Sequence, residues 1–295
     1  MMRSTCLPPR MFLRHNNSMH NSRFMAGFGA VLLLMATSAY SAGQTTTVQL
    51  ADLPPAAQKT VHAHLGKGHL TGIEKNVEQG KVTYDVEMKK GNRDRNFTVN
   101  DEGELLDVQV FLGETPPPVQ AAIRKYVGTS HLENITKQLD DKDISFAVEI
   151  TQAGQNRTFT VNKNGQLLKR QVFLAEMPMP VQAAVAKESA GRKLGDLSQT
   201  FDDGKTDYEV EINPDGKPFT VTIAPDGHIV ARSVEVALSE TPAAVQNAVK
   251  ALMQNARLIS LTKTTEDGDV TYDVDLKRGD QWESVSLGND GKIAP

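Results

Sequence analysis

The sequence predicts an α+β protein of tandem repeats, each of one N-terminal helix packed on an antiparallel sheet of about four meandering strands. Three observations carry that expectation. The stretch FTVNDEGELLDVQVFLGETP from Phe97 to Pro116 returns as FTVNKNGQLLKRQVFLAEMP from Phe159 to Pro178, with 13 of 20 positions identical at a spacing of 62. Similar segments open at Val48, Val110, Val172 and Val236, and three sets of markers keep the same register: Pro54, Pro116, Pro178 and Pro242; Tyr84, Phe146, Tyr208 and Tyr272; Gly103, Gly165, Gly227 and Gly291. Inside each unit the apolar period changes from 3.6, as in a helix, to 2, as in a strand.

In chain order, residues 1–42 stand apart. They hold Arg3, Arg10, Arg14 and Arg23, no acid, and then the apolar run MAGFGAVLLLMATSA, with Ala39, Ser41 and Ala42 suited to a signal peptidase. This reads as a secretory signal region, and Met11, Met19 or Met25 would each start a more compact one. A membrane anchor is the competing reading, but the run falls short of the ~20 residues of a span. Cys6, the only cysteine, lies upstream of that run, so disulfides are not expected to hold the exported part. Subtracting the four arginines from 32 Lys and Arg leaves 28 against 36 Asp and Glu, a formal charge of −8. That balance argues against a nucleic-acid surface, and no membrane contact is expected once the signal is removed.

The expected organisation is a short linker at 43–47, then repeats at 48–109, 110–171, 172–235 and 236–295, the last with a truncated final strand. Thr115 and Thr241 are expected to cap helices whose following prolines have no N–H to lose. Val119, Ile123, Tyr126 and Val127 then recur on one helical face, as do Val245, Val249, Leu252 and Met253. In VTYDVEM, residues Val82, Tyr84, Val86 and Met88 take one face of a strand and Thr83, Asp85 and Glu87 the other, and ISFAVEI, TDYEVEI and VTYDVDL repeat the scheme. NDEG, NKNG, APDG and GNDG each end on a glycine where a tight hairpin needs positive φ.

The third unit, DYEVEINPDGKPFTVTIAPDGHIV, resembles the strand-turn-strand core of the PepSY domain superfamily. With the helix lead-ins LADLP, LGETP, LAEMP and LSETP, the whole resembles the PepSY-like group related to beta-lactamase-inhibitor proteins, over roughly residues 48–295. The resemblance implies an exported non-catalytic module of a kind associated with inhibiting or modulating enzymes, often proteases, outside the cytoplasm. Its pattern fixes no target and no inhibitory loop.

The residues point to no chemistry of their own. His62, His64 and His69 cluster in VHAHLGKGHL, but i and i+2 diverge on a helix, and a base after each helix suits the negative end of its dipole. Glu211 to Gly216 partly matches a calcium loop, yet its twelfth position is Thr222. No GxSxG, HExxH or phosphate-binding loop occurs. The expectation is therefore no catalytic residue, no metal and no cofactor. The candidate surface is the polar face of the second strand in each unit, carrying Asp85, Glu87, Glu149, Asp207, Glu209, Glu211, Asp273 and Asp275, with Trp282 expected to face outward beside it as a binding anchor. The function expected is binding of a protein or peptide through sheet faces, in the periplasm or outside the cell. A structural envelope protein is the alternative, and an unrecognised enzyme is the third reading.

Overall fold

The computed structural model describes residues 44–78, 81–139, 143–202, 204–279 and 281–294, and the side chains of residues 44, 78, 81, 281 and 282 lie outside the description. The signal region falls outside the described residues. Residues 44–47, expected within a linker, form strand β1 (Gln44–Thr47). Helix α1 (Pro55–Leu65) leads into β2 (His69–Glu78), β3 (Lys81–Lys90), β4 (Arg93–Asn100) and β5 (Leu105–Gln109). Then α2 (Pro117–Val127) precedes β6 (His131–Leu139), β7 (Ile144–Gln152), β8 (Gln155–Asn162) and β9 (Leu167–Gln171). Next, α3 (Met179–Ser189) precedes β10 (Leu194–Asp202), β11 (Lys205–Ile212), β12 (Phe219–Ile223) and β13 (Ile229–Glu235). Last, α4 (Ala243–Leu252) precedes β14 (Arg257–Glu266), β15 (Asp269–Arg278) and β16 (Gln281–Gly288).

The expected fold class is corrected here. The strands do not form one four-stranded sheet per helix. They form a single 16-stranded antiparallel sheet in which every strand pairs its sequence neighbours. The overturning contacts are at the joins: Val108 lies opposite Lys137, Arg170 opposite Gln199, and Val234 opposite Lys263. The physical reason is edge satisfaction. A four-stranded unit would leave two rows of unpaired N–H and C=O groups, and pairing across each join satisfies them. Strand alternation in the sequence reports which residues share a face, but it is silent on which strand lies alongside.

One sheet face carries the four helices. Tyr84, Val86, Met88, Phe97 and Val99 pack with Ala57 and Val61 of α1. The same arrangement gathers Val119 and Ile123 of α2, Val181 and Val185 of α3, and Val245 and Val249 of α4 over their own strands. Burying each Val, Ile or Phe is worth roughly 1.5–3 kcal/mol, so each helix is held by its apolar stripe more than by its propensity.

The lead-in to each helix differs from expectation. Thr115 and Thr241 do not cap the helices; their hydroxyls donate backward to the carbonyls of Leu112 and Leu238, at 2.8 Å each, in short 3-10 turns. The N-cap residues are Pro116 and Pro242, with no side-chain cap. A recurring glutamine ties the lead-in instead: Gln58, Gln120, Gln182 and Gln246 each donate from Nε2 at 2.8 Å to the carbonyl five residues earlier. The turn glycines do more than permit positive φ. At Gly103 (φ +83°) an added Cβ would sit 2.6 Å from the Ala56 carbonyl, and at Gly165 (φ +79°) 2.5 Å from that of Pro118, so these turns rest directly on the first helical turn.

The sheet curls. Register shifts recur in the first strand pair of each period, as between Leu70 and Gly72, and again before the last strand of the first three periods, as between Thr98 and Val99. Such bulges bend and twist the strand that carries them. In a flat sheet β4 and β15 would lie about 50 Å apart, eleven steps of ~4.8 Å. Yet Lys277 Nζ, at the end of β15, is 3.0 Å from Asp101 Oδ2 and 3.5 Å from Glu102 Oε1 in the turn after β4. Lys277 alternates away from the buried Tyr272, Val274 and Leu276, so it projects from the face without helices. The helix-free face is therefore the inside of the curl.

Candidate binding surface

Alternation places on this inner face the strand residues that alternate with the core, among them the carboxylates of β3, β7, β11 and β15. Asp85 accepts from Asn76 Nδ2 at 2.7 Å and from Thr98 Oγ1 at 2.9 Å. Asp275 accepts from Ser260 Oγ at 2.5 Å, and Asp273 from Ser286 Oγ. Lys169 Nζ reaches Glu209 at 2.9 Å, and the backbone N–H of Asp196 donates to Glu211 at 3.3 Å. Glu87 stands opposite Gly72 and Asn96, and Glu149 opposite Asn134 and Thr158. Hydroxyl and amide neighbours thus fix Asp85, Asp273 and Asp275 by short bonds across strands, while Glu209 is met by a lysine. Arrays tied in this way present oriented acceptors with little side-chain entropy left to lose on binding.

The predicted carboxylates come together within a strand and not between strands. Asp207, Glu209 and Glu211 line β11, Asp85 and Glu87 line β3, and Asp273 and Asp275 line β15. Successive columns are four strands apart, about 19 Å in a flat sheet. Between them lie Thr136, Thr160, Ser198, Thr220 and Ser233, with Ser198 and Ser233 buried although no helix covers them. Burial also raises the pKa of Asp207, with Glu209 adding to the rise and Lys205 opposing it. Both features fit a recessed face. Trp282 lies opposite Lys277 in the β15–β16 register, and its side chain lies outside the described residues.

The contact that curls the sheet has its own electrostatics. Burial pulls the Lys277 ammonium down, but the hydrogen bond and charge of Asp101, with Glu102, more than offset it and the pKa is raised. Glu102 is raised as well, chiefly by burial that Lys277 only partly offsets. Asp101, at the shorter distance, therefore carries the pair.

Two further features escaped the sequence reading. Arg95 donates to Glu114 at 2.6 Å, and Arg157 donates to both oxygens of Glu176 at 2.8 and 2.9 Å. Each guanidinium also lies over a ring, Phe111 at 4.5 Å and Phe173 at 4.3 Å. Lys217 and Glu240 make the equivalent contact at 3.0 Å, with Ala237 where the other joins have phenylalanine. The signal was present: an acid stands at the same place in each lead-in motif, with a base 19 or 23 residues before it. These clamps lie on the helix side and fasten the joins.

The histidine and calcium readings resolve into local structure. His64 Nδ1 bonds the Thr60 carbonyl at 3.0 Å, and His69 opens β2. In the turn from Glu211 to Gly216, Asp215 pairs with Lys193 at 2.7 Å while Asn213 bonds the Lys217 carbonyl. Among the described residues no group of three or more His, Cys, Asp or Glu side chains is placed to hold a metal, and no helix is long and apolar enough to cross a membrane.

No family model matches the chain, and no curated protein matches it. Among solved structures, it is similar to a DUF2874 family protein from Bacteroides ovatus at 18% identity and a TM-score of 0.34, over 40% of this chain and 85% of that one. A candidate periplasmic protein from Bacteroides eggerthii is similar at 18% identity and a TM-score of 0.34, over 40% and 86%. A third structure, a candidate calcium-regulated periplasmic protein from Bacteroides thetaiotaomicron, is similar at 19% identity and a TM-score of 0.28, over 43% and 95%.

Proposed function

We propose that the chain is an exported, non-catalytic binding protein of the PepSY-like kind that engages a protein or peptide through its helix-free sheet face, in the periplasm or outside the cell. Inhibition or modulation of an extracytoplasmic enzyme, such as a protease, is the finer form of this reading. The observation that carries it is the face itself: kept clear of helices, curled inward, and lined with carboxylates, of which Asp85, Asp273 and Asp275 are held in place by hydroxyl and amide neighbours. A surface of this kind suits a partner rich in hydrogen-bond donors and positive charge, because exposed charges steer encounter and select partners more than they hold the complex. Export is supported by the arginines and apolar run ahead of Ala42.

The test uses the purified exported chain as bait in envelope extracts, followed by titration of the isolated captured protein. The triple variant Asp207→Asn, Glu209→Gln, Glu211→Gln should bind with a slower association rate and a shallower salt dependence. Unchanged rate and salt dependence would remove this face from the function. A partner whose turnover falls at saturation supports the inhibitor form; one whose turnover is unchanged leaves binding alone.

A further inference from the structure

The three joins are fastened by one device, and its acidic half recurs at Asp52, beside β1 at one end of the sheet. In each join a base near the start of the third strand, Arg95, Arg157 or Lys217, meets a carboxylate in the following 3-10 turn. One oxygen of that carboxylate also accepts the N–H that opens the turn, at 2.8 Å for Phe111 and 2.9 Å for Phe173. Asp52 holds the same place in the first such turn, Leu50–Asp52, and accepts the Gln49 N–H at 2.8 Å. It is exposed, and among the described residues no cation pairs with it. Shifted by the 62-residue period, Thr45 and Thr46 stand where Asp107 and Val108 stand in β5. There β5 pairs β4 on one side and β6 on the other, whereas β1 pairs β2 and, among the described residues, nothing else.

We propose that the open edge of β1 and the Asp52 carboxylate form a docking site for an extended strand of another protein, bearing Arg or Lys two residues before an apolar side chain. Arg95–Asn96–Phe97 and Arg157–Thr158–Phe159 show the pattern as the internal joins use it. Backbone pairing along β1 supplies the bonds, and the base completes the half-clamp. A second copy of this chain does not supply that strand. The spacing of 188 that carries Gly103 to Gly291 carries Arg95 to Glu283, on β16, whose far edge bridges Ile293 at Leu287 and accepts the Ala294 N–H at the Ser286 carbonyl. Glu283 folds onto Arg278 at 2.8 Å, and beside Asp52 it would set two carboxylates together. Like charge, with the chain's own Ile293 and Ala294 lying along β16, thus keeps copies apart, while a basic strand is accepted at β1.

With residues 292–295 deleted to free the edge at Ser286 and Leu287, Glu283→Arg turns β16 into the missing half and makes a second copy mimic the partner, and every Glu283→Arg chain carries this deletion. By sedimentation, the wild-type chain should keep the mass of one copy, and Glu283→Arg should rise with concentration to multiples of it. Adding Asp52→Lys to Glu283→Arg should restore the single-copy mass. A folded Glu283→Arg that stays single-copy at every concentration overturns the proposal, as does a wild type that already assembles. Should Glu283→Arg not fold, a peptide of residues 155–162, QNRTFTVN, titrated into the wild type decides. Saturable binding weakened at least about tenfold by Asp52→Asn, or by Arg157→Glu in the peptide, supports the site; absent or unaffected binding overturns it.

Discussion

Replacing Lys277 by glutamate tests the curl that makes one sheet face concave. The wild-type Lys277 side chain is 13% exposed and faces the side chains of Asp101 and Glu102, which are 26% and 16% exposed. Asp101 Oδ1 and Glu102 Oε1 are buried and, among the described residues, accept no hydrogen bond, so the pair depends on the Lys277 charge for compensation. A charge-assisted bond of this kind contributes about 1.5–3 kcal/mol. Losing it and adding a third carboxylate should shift the closed-to-open ratio by at least about thirtyfold, the equivalent of ~2 kcal/mol. The apolar cores under the helices are not touched, so each should stay folded. The gap between β4 and β15 is then free to widen toward the flat-sheet limit of about 50 Å. Small-angle scattering reads this as a larger radius of gyration with an unchanged circular dichroism spectrum, and Lys277→Ala should fall between the two states. An unchanged radius in Lys277→Glu would mean that the bulges alone set the curvature and that the ion pair merely decorates it.

Two other outcomes follow from the joins and the turns. Hydrogen bonding to Arg157 holds the Glu176 pKa low, and Arg95 does the same for Glu114. A depressed carboxylate contributes stability above its unfolded pKa and loses it as pH falls through the folded one, so the joins should weaken below about pH 4.3. Denaturant titration between pH 7 and pH 3 should show Glu176→Gln losing less on acidification than the wild type; equal losses would contradict the assignment. Gly165→Ala and Gly154→Ala both place a side chain at positive φ, but only the first meets a backbone, 2.5 Å from the Pro118 carbonyl, while the second meets nothing within 4 Å. The φ penalty alone is roughly 1–2 kcal/mol. Gly165→Ala should therefore cost clearly more in urea unfolding, and equal costs would show that the turn does not bear on α2.

What the sequence made legible was local. The apolar residues of VTYDVEM and the stripe of Val119 and Ile123 stand where their periods place them, because alternation and helical spacing are properties of single elements. The pairing of Val108 with Lys137 was not legible, since both residues satisfy the same alternation whether their strands are neighbours or strangers. The same limit hid the clamps. Arg95 and Glu114 look like ordinary surface charges until β5 brings them within 2.6 Å.

The joins also explain why one long sheet does not simply invite more strands. An open antiparallel edge is a template for any strand, and proteins commonly blunt such edges with charge. Here the charge acts through register. At internal positions the pattern base, then acid, draws strands together at Arg95 with Glu114 and Arg157 with Glu176. At the two ends Asp52 and Glu283 are both acidic, and Ile293 bridges the far edge of β16, so charge and local pairing together discourage further strands. The third join is the weakest version, with Lys217 replacing the fork of an arginine and Ala237 replacing the ring beneath it. A lysine makes a point contact where arginine makes two parallel bonds and stacks. Local opening of the sheet is therefore expected to begin between β13 and β14, and amide exchange should be faster there than at β5–β6 or β9–β10. Faster exchange at either aromatic join would reverse that order and show that the five residue pairs between β13 and β14 outweigh the clamp.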